Sequence, residues 1–457
     1  MKRILIFISA LLVAISSMAQ ERLVAEYDQR TELVSIVSRL SGAPEYGQCY
    51  FAGYAAEVDQ FFAPVKDHPA VKQLVAMSSH IGYDANMAFA LRLNDDFSHN
   101  NLVVDDDYYY QRWNRDEEKQ FLNALADFAK ESHFVEFFAA HQPFYDKVKA
   151  AMQANLDAID LSWYDAMFEP RPEAVRHVFC SVLNGPSNYS NTYRTAGGNT
   201  HICIVMGCCF PGQDGNPAYQ SSSLIPIIVH EFCHSYCNPL NEKYISQMGD
   251  EPQKVFDKNF QLLRGQAYTT PLIMMNETFV RASVIRYMEQ HFPGYSAAEP
   301  LLAEEELGFL LTGTILDVLR QRDMAKYPSM ESYMPEIVKA VNAFDLKQYL
   351  RNVKAADRLK AHVKKCTLPS KSGEGVIVVK FDKPMADHLA LYSGNTGAPF
   401  PTLSDRRPYY EWSKDQKTLT LYVRLAPGRY AFSVYKGFVT ADGNPLSKVM
   451  FYDFEVK

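Results

Sequence analysis

His230 and His234 stand four residues apart with Glu231 beside the first, in the run Ile225-Pro226-Ile227-Ile228-Val229-His230-Glu231-Phe232-Cys233-His234-Ser235-Tyr236. In an α-helix, residues four apart share a face, so both imidazoles can reach a single ion. Glu231, about 100° round the helix, reaches a water on that ion. The chemistry that this His-Glu-x-x-His layout supports is hydrolysis, with a divalent cation, Zn2+ from the ligand types, as electrophile and Glu231 as base. A buried helix that merely carries two histidines is the plain alternative. It leaves three ionisable groups without a partner, which is costly to bury, whereas a dication partners all of them.

The helix that must position these groups is legible on its own. Ser221, Ser222 and Ser223 are N-cap candidates, Pro226 is expected in the first turn, and Asn238-Pro239 signals the stop. Cys237, seven residues after His230, falls nearly on the ligand face. It reads as a packed thiol, as half of a disulfide with Cys208 or Cys209, or as a ligand.

A catalytic zinc takes three protein ligands and keeps one position open. Cys237 and Leu240 stand where a metzincin needs Gly and His, so the third ligand lies further on. Glu277 is the strongest candidate, 43 residues after His234, in Asn276-Glu277-x-x-x-Arg281-Ala282 early in an expected helix. Here the chain resembles the gluzincins, the thermolysin-like and aminopeptidase-N-like metallopeptidases, whose third ligand is a Glu often preceded by Asn. The resemblance covers the two helices and the strand before them. It implies zinc held by His230, His234 and Glu277, with Glu231 taking a proton from the attacking water and passing it to the leaving amine. The commoner gap in that group is nearer ~20 residues, so the resemblance implies an inserted helix here. Where thermolysin-like proteins have Asp four residues after the Glu, this chain has Arg281, so the groups that orient the ligands must come from elsewhere. Arg281 can clamp a carboxylate of the protein or of a peptide, or form a surface salt bridge. The rival third ligand is Asp317, in Gly313-Thr314-x-x-Asp317, which is similar to part of the aspzincin motif but lacks the Tyr-Gly that should follow. In aminopeptidase-like relatives a downstream Tyr stabilises the oxyanion. Tyr327 and Tyr333 sit at a similar remove, and neither is assigned that role.

The remaining chain sets the context. At 457 residues it exceeds what one core usually fills, so two domains are expected. Residues 1–20 read as a secretory signal: Lys2 and Arg3, an apolar stretch from Ile4 to Ile15, and Ser17-Met18-Ala19 as the cleavage site. No later stretch is long and apolar enough to span a bilayer. Loss of Lys2 and Arg3 takes the net charge from −7 to −9, and no basic run offers a phosphate-binding stripe, so nucleic acid is excluded as an expected partner. The eight cysteines all fall in the exported part, where disulfides are permitted.

Helical spacing is expected over 30–40, 53–64, 68–80, 115–156, 251–264, 274–290 and 329–344, with Glu304-Glu305-Glu306 opening another helix. The triplet Asp105-Asp106-Asp107 lacks a calcium-loop spacing and reads as a solvated loop. Strands are expected over 175–183 and 201–206, the latter either an edge that pairs with an extended peptide or an internal strand. Beyond Lys365, Gly375–Phe381, Thr418–Val423, Arg429–Val434 and Met450–Phe454 alternate between turn clusters, which suits an immunoglobulin-type sandwich. Phe381-Asp382-Lys383-Pro384-Met385 and Gly443-Asn444-Pro445 resemble bacterial Ig-like modules of secreted proteins.

The expected fold is therefore α+β: a mostly helical zincin-like domain with a small sheet over 21–365, then an Ig-like β-sandwich over 366–457. The arrangement as a whole resembles an uncharacterised family of secreted bacterial metallopeptidases. It implies a periplasmic or extracellular enzyme acting on a peptide or protein. The alternative is a binding or adhesion protein that keeps a structural zinc and uses the Ig-like module.

Overall fold

In a computed structural model of the protein, residues 22–82, 84–104 and 107–457 are described. The signal segment at 1–20, and Asp105 and Asp106 of the acidic triplet, lie outside the described residues. By its internal contacts the chain divides into two units between Phe344 and Asp345.

The first unit is mostly helical around one mixed sheet. Its strands are β1 (Ala25–Glu26), β2 (Ala174–Cys180), β3 (Asn188–Arg194) and β4 (Thr200–Met206), in the order β1-β2-β4-β3. β1, β2 and β4 are parallel, and β3 runs antiparallel to β4 with Tyr189 opposite Val205. The run Ile202 to Met206 has no polar alternation and is buried throughout, so β4 is an internal strand covered on both faces. Of the two readings of 201–206, the internal one holds, and the edge beside it is β3.

The stretch expected as one helix from 115 to 156 is three: Arg115–Glu131, Phe134–Ala140 and Gln142–Leu156. His133 takes a left-handed backbone (φ 56°) and breaks the first junction. Glu304 to Glu306 do not open a helix but close one, Ala298–Leu307, which Gly308 terminates with φ 100°. The next helix starts at Thr312.

The helix carrying the histidines runs from Ser221 to Tyr244. Its N-cap is Gln220, so the three serines lie inside the helix, and Pro226 sits in the second turn. Pro239 does not stop it either. A proline leaves the carbonyl four residues back without its helical donor. Here that carbonyl, of Ser235, accepts from Arg171 Nη1 at 3.0 Å, and the helix continues. Leu224, Ile225, Ile228, Val229, Phe232, Cys233 and Tyr236 form the buried stripe, leaving His230, Glu231 and His234 half-buried beside it.

The helix Pro271–His291 packs against it. Thr270 caps its start, its Oγ1 accepting from Ile273 N at 3.2 Å, with Pro271 first in the helix. Asn241 Nδ2 donates to Met275 O at 2.9 Å and fixes the two helices together. Two short helices, Glu251–Lys258 and Phe260–Gly265, fill the interval between them.

The second unit begins with the helix Leu346–Asp357 and holds two antiparallel sheets. One orders Tyr410–Trp412, Thr418–Leu425, Gly373–Phe381 and Val363–Thr367; the other orders Met450–Val456, Gly428–Val434 and Leu391–Ser393. One hydrophobic core takes Ile377, Val379 and Leu421 from the first and Phe432, Val434 and Val456 from the second.

Candidate metal centre

Helical spacing puts the ring nitrogens His230 Nε2 and His234 Nε2 3.1 Å apart. Glu277 reaches across from the neighbouring helix, with Oε2 3.5 Å from His230 Nε2 and Oε1 3.4 Å from His234 Nε2. These three side chains form the one group of three or more metal-ligating residues among the described residues. The separations fit a tetrahedral Zn2+, whose bonds of about 2.0–2.2 Å place ligand atoms roughly 3.3 Å from one another. Glu277 is buried, and its Oε2 is fully shielded, with no hydrogen bond and with Arg281 Nη2 at 3.3 Å as a longer ion-pair contact, so a metal ion would add a closer partner.

Burial is the largest single influence on the ionisation of the groups at this site. Burial pushes His230 down to about 3, keeping its ring neutral and its nitrogen available as a donor to a metal. Burial also acts to raise the Glu277 carboxyl, but the positive groups that face it, the Arg281 guanidinium among them, outweigh it and hold the group below its ordinary value. Burial lifts Glu231 to about 7, with Glu277 and Asp84 adding and His234 opposing.

The groups that orient the ligands are also in place. His234 Nδ1 stands 3.2 Å from Asn238 Oδ1, an acceptor that favours the tautomer with its proton on Nδ1 and Nε2 free to bind a metal. The backbone carbonyl of Glu231 accepts from Ser190 Oγ at 2.9 Å, which ties the histidine helix to edge strand β3. Arg281, one turn after Glu277, is largely buried and pairs with carboxylates of the protein itself. Its Nη1 lies 2.7 Å from Glu304 Oε2, its Nη2 3.3 Å from Glu277 Oε2 and 3.2 Å from the Tyr268 hydroxyl. Its guanidinium carbon sits 4.2 Å over the Phe309 ring.

The other candidates lie elsewhere. Asp317 is largely exposed and paired with Arg320 at 2.7 Å, outside the cluster. Cys237 is fully buried against Ser283 Oγ at 3.8 Å, and burial pushes its thiol up, so it is a packed thiol; all eight cysteines are free. The Tyr327 hydroxyl donates to Glu336 at 3.0 Å and that of Tyr333 to the Val318 carbonyl at 2.8 Å. A tyrosine beside the cluster is Tyr268, which precedes Glu277 in the chain rather than following it and meets Arg281 Nη2 at 3.2 Å. Asn238 reads as a helix stop by its local pattern with Pro239, and its place four residues after His234 is the sequence signal for its contact with that ring.

Fold and site together define a mostly helical unit with a small mixed sheet, whose His230, His234 and Glu277 could hold a divalent metal ion between two helices, followed by a β-rich unit. The chain belongs to a family described as a domain of unknown function, DUF4932, whose model matches residues 23–340. No curated protein matches it. Among solved structures, the crystal structure of the S-layer protein rSbsC is similar at 12% identity, over 85% of this chain and 46% of that one, with a TM-score of 0.16. The chain thus spans less than half the length of that structure, and a likeness so slight carries no argument.

Proposed function

We propose that the protein is an exported zinc-dependent metallopeptidase of gluzincin type, with His230, His234 and Glu277 as ligands and Glu231 as general base. The observation that carries this reading is the convergence of two imidazoles from one helical turn with a shielded, ionised carboxylate from another helix. When bound there, zinc would supply Lewis-acid polarisation and an acidified water. Glu231, lifted by burial to about 7, is matched to taking a proton from that water and returning it to the leaving amine. Asn238 keeps His234 in the tautomer that binds metal through Nε2. β3, anchored to the histidine helix through Ser190, is the edge on which an extended peptide would pair its main chain.

In the second unit, we propose that the two sheets face each other as an immunoglobulin-type sandwich. The Tyr430 hydroxyl bonds both N and O of Ala426 at 3.1 Å, a tyrosine tied to the backbone a few residues upstream as in that fold.

The test is cleavage of a mixed peptide library by the full chain, with and without chelator, and again for Glu231→Gln. Metal-dependent cleavage that disappears in Glu231→Gln supports the peptidase. Stoichiometric zinc with no Glu231-dependent turnover would replace it with a zinc-containing binding protein.

A further inference from the structure

Arg281 places a full positive charge against the carboxylate that would bind a dication, an arrangement that works against metal binding unless something offsets it. What offsets it is Glu304. The acidic side chain sits in the last turn of the helix Ala298–Leu307, where the helix dipole disfavours negative charge. That helix has no buried residue, yet the Glu304 side chain is only 16% exposed and lies 2.7 Å from Arg281 Nη1. The partner contact is markedly shorter than the 3.3 Å from Arg281 Nη2 to Glu277 Oε2. The guanidinium is therefore held chiefly by Glu304, with the Phe309 ring under its face and the Tyr268 hydroxyl accepting at 3.2 Å.

We propose that Arg281 and Glu304 act as a charge-balanced positioning pair for the third metal ligand. Arg281 fixes the rotation of the Glu277 carboxylate, and Glu304 restrains Arg281 from taking that carboxylate for itself. The pair carries no net charge, so it preorganises the ligand without setting an uncompensated cation beside the ion. With Glu304 neutralised, the guanidinium's remaining anionic partner is Glu277 Oε2, and arginine and metal then compete for one carboxylate. The inference rests on the zinc-site reading, and it makes an ordering of variants that a purely structural ion pair does not.

The experiment is a zinc titration of the metal-stripped full chain against a chromogenic chelator, for wild type, Glu277→Ala, Arg281→Met, Arg281→Lys, Glu304→Gln and the double variant Arg281→Met/Glu304→Gln. The visible spectrum of each with Co2+ in place of zinc is recorded alongside. Arg281→Met is expected to weaken zinc about tenfold, the lower end for loss of a group that orients a ligand, and Arg281→Lys to recover part of that. Glu304→Gln is expected to weaken zinc more than Arg281→Met, and the double variant to return to the Arg281→Met level. Glu304→Gln with wild-type affinity and Co2+ spectrum, or a double variant weaker than both single ones, overturns the proposal. If Glu277→Ala loses zinc while the Arg281 and Glu304 variants bind as wild type, the metal reading stands and this inference falls. A wild type that binds no zinc removes both. Should Arg281→Met fail to fold by circular dichroism, Glu304→Gln and Arg281→Lys, which keep the side-chain volume, decide the question alone.

Discussion

Asn238 Oδ1 stands 3.2 Å from His234 Nδ1, one turn further along the same helix, so the candidate ligand and the residue placed to orient it share one rigid element. Loss of such a partner typically weakens metal binding 10- to 100-fold. Asn238→Ala is therefore expected to raise the zinc Kd by about that factor while leaving the far-ultraviolet circular dichroism unchanged. Chelator competition measures it, and an unaltered Kd would show that the contact plays no part in holding the metal.

Glu231 is not one of the three clustered ligands, which separates binding from chemistry. Glu231→Gln keeps the side-chain size and is expected to retain one zinc per chain by elemental analysis, while peptide cleavage falls by about 10²- to 10⁴-fold. Parallel loss of metal would mean that Glu231 holds the ion rather than a proton.

The pH dependence has a definite sign. Burial raises Glu231 to about 7, and only its ionised form accepts a proton. kcat/KM is expected to rise with pH along an acid limb and to flatten above neutrality. A bound dication favours the carboxylate, so the loaded protein's midpoint should fall at or below about 7. A rate that instead climbs as the pH falls from 7 to 5 would exclude Glu231 as the base.

Away from the candidate metal centre, Glu32 is fully buried among tyrosines. It accepts from Tyr27 at 2.9 Å and from Tyr54 at 2.5 Å, and the Tyr54 hydroxyl meets that of Tyr145 at 2.7 Å. Burial is the main cause that lifts it from 4.5 to about 7, against the opposing hydrogen bonds of Tyr54 and Tyr27 and the charge of His141. Because the folded state favours the acid form, its contribution to stability is full below pH 4.5 and is lost as pH rises through about 7. Integrated over that window the loss is roughly 3 kcal/mol. Glu32→Gln is expected to gain about that much on wild type between pH 4 and pH 8, in urea denaturation followed across pH. A constant difference between the two proteins over this range would show that Glu32 does not change protonation.

Much of the site was legible because it is local. Four-residue spacing sets His230 and His234 on one face wherever that helix packs, and Asn276-Glu277 falls early in a helix whose start Thr270 and Pro271 mark. Four of the seven described strands of the second unit were likewise written in alternation and turns, whereas Val363–Thr367, Leu391–Ser393 and Tyr410–Trp412 were not. The misplacements share one cause. Pro239 reads as a stop because proline removes a local donor, but the missing bond is made by Arg171, 64 residues away. Glu304 reads as a helix start because acidic residues suit N-termini, but it is held at a C-terminal end by Arg281 from another helix.

The sequence by itself thus determined which side chains are paired on one helix, where β2, β4 and four strands of the second unit lie, and what metal the donor types suit, since helix and strand periods act over a few residues; β3, polar and without apolar alternation, was not among them. Tertiary structure decided that Glu277 rather than Asp317 meets the histidines, that β3 rather than β4 forms the edge, and that Arg281 faces inward to Glu304. Those outcomes depend on packing between segments far apart in the chain, and local pattern carries no record of which distant partner a side chain will meet.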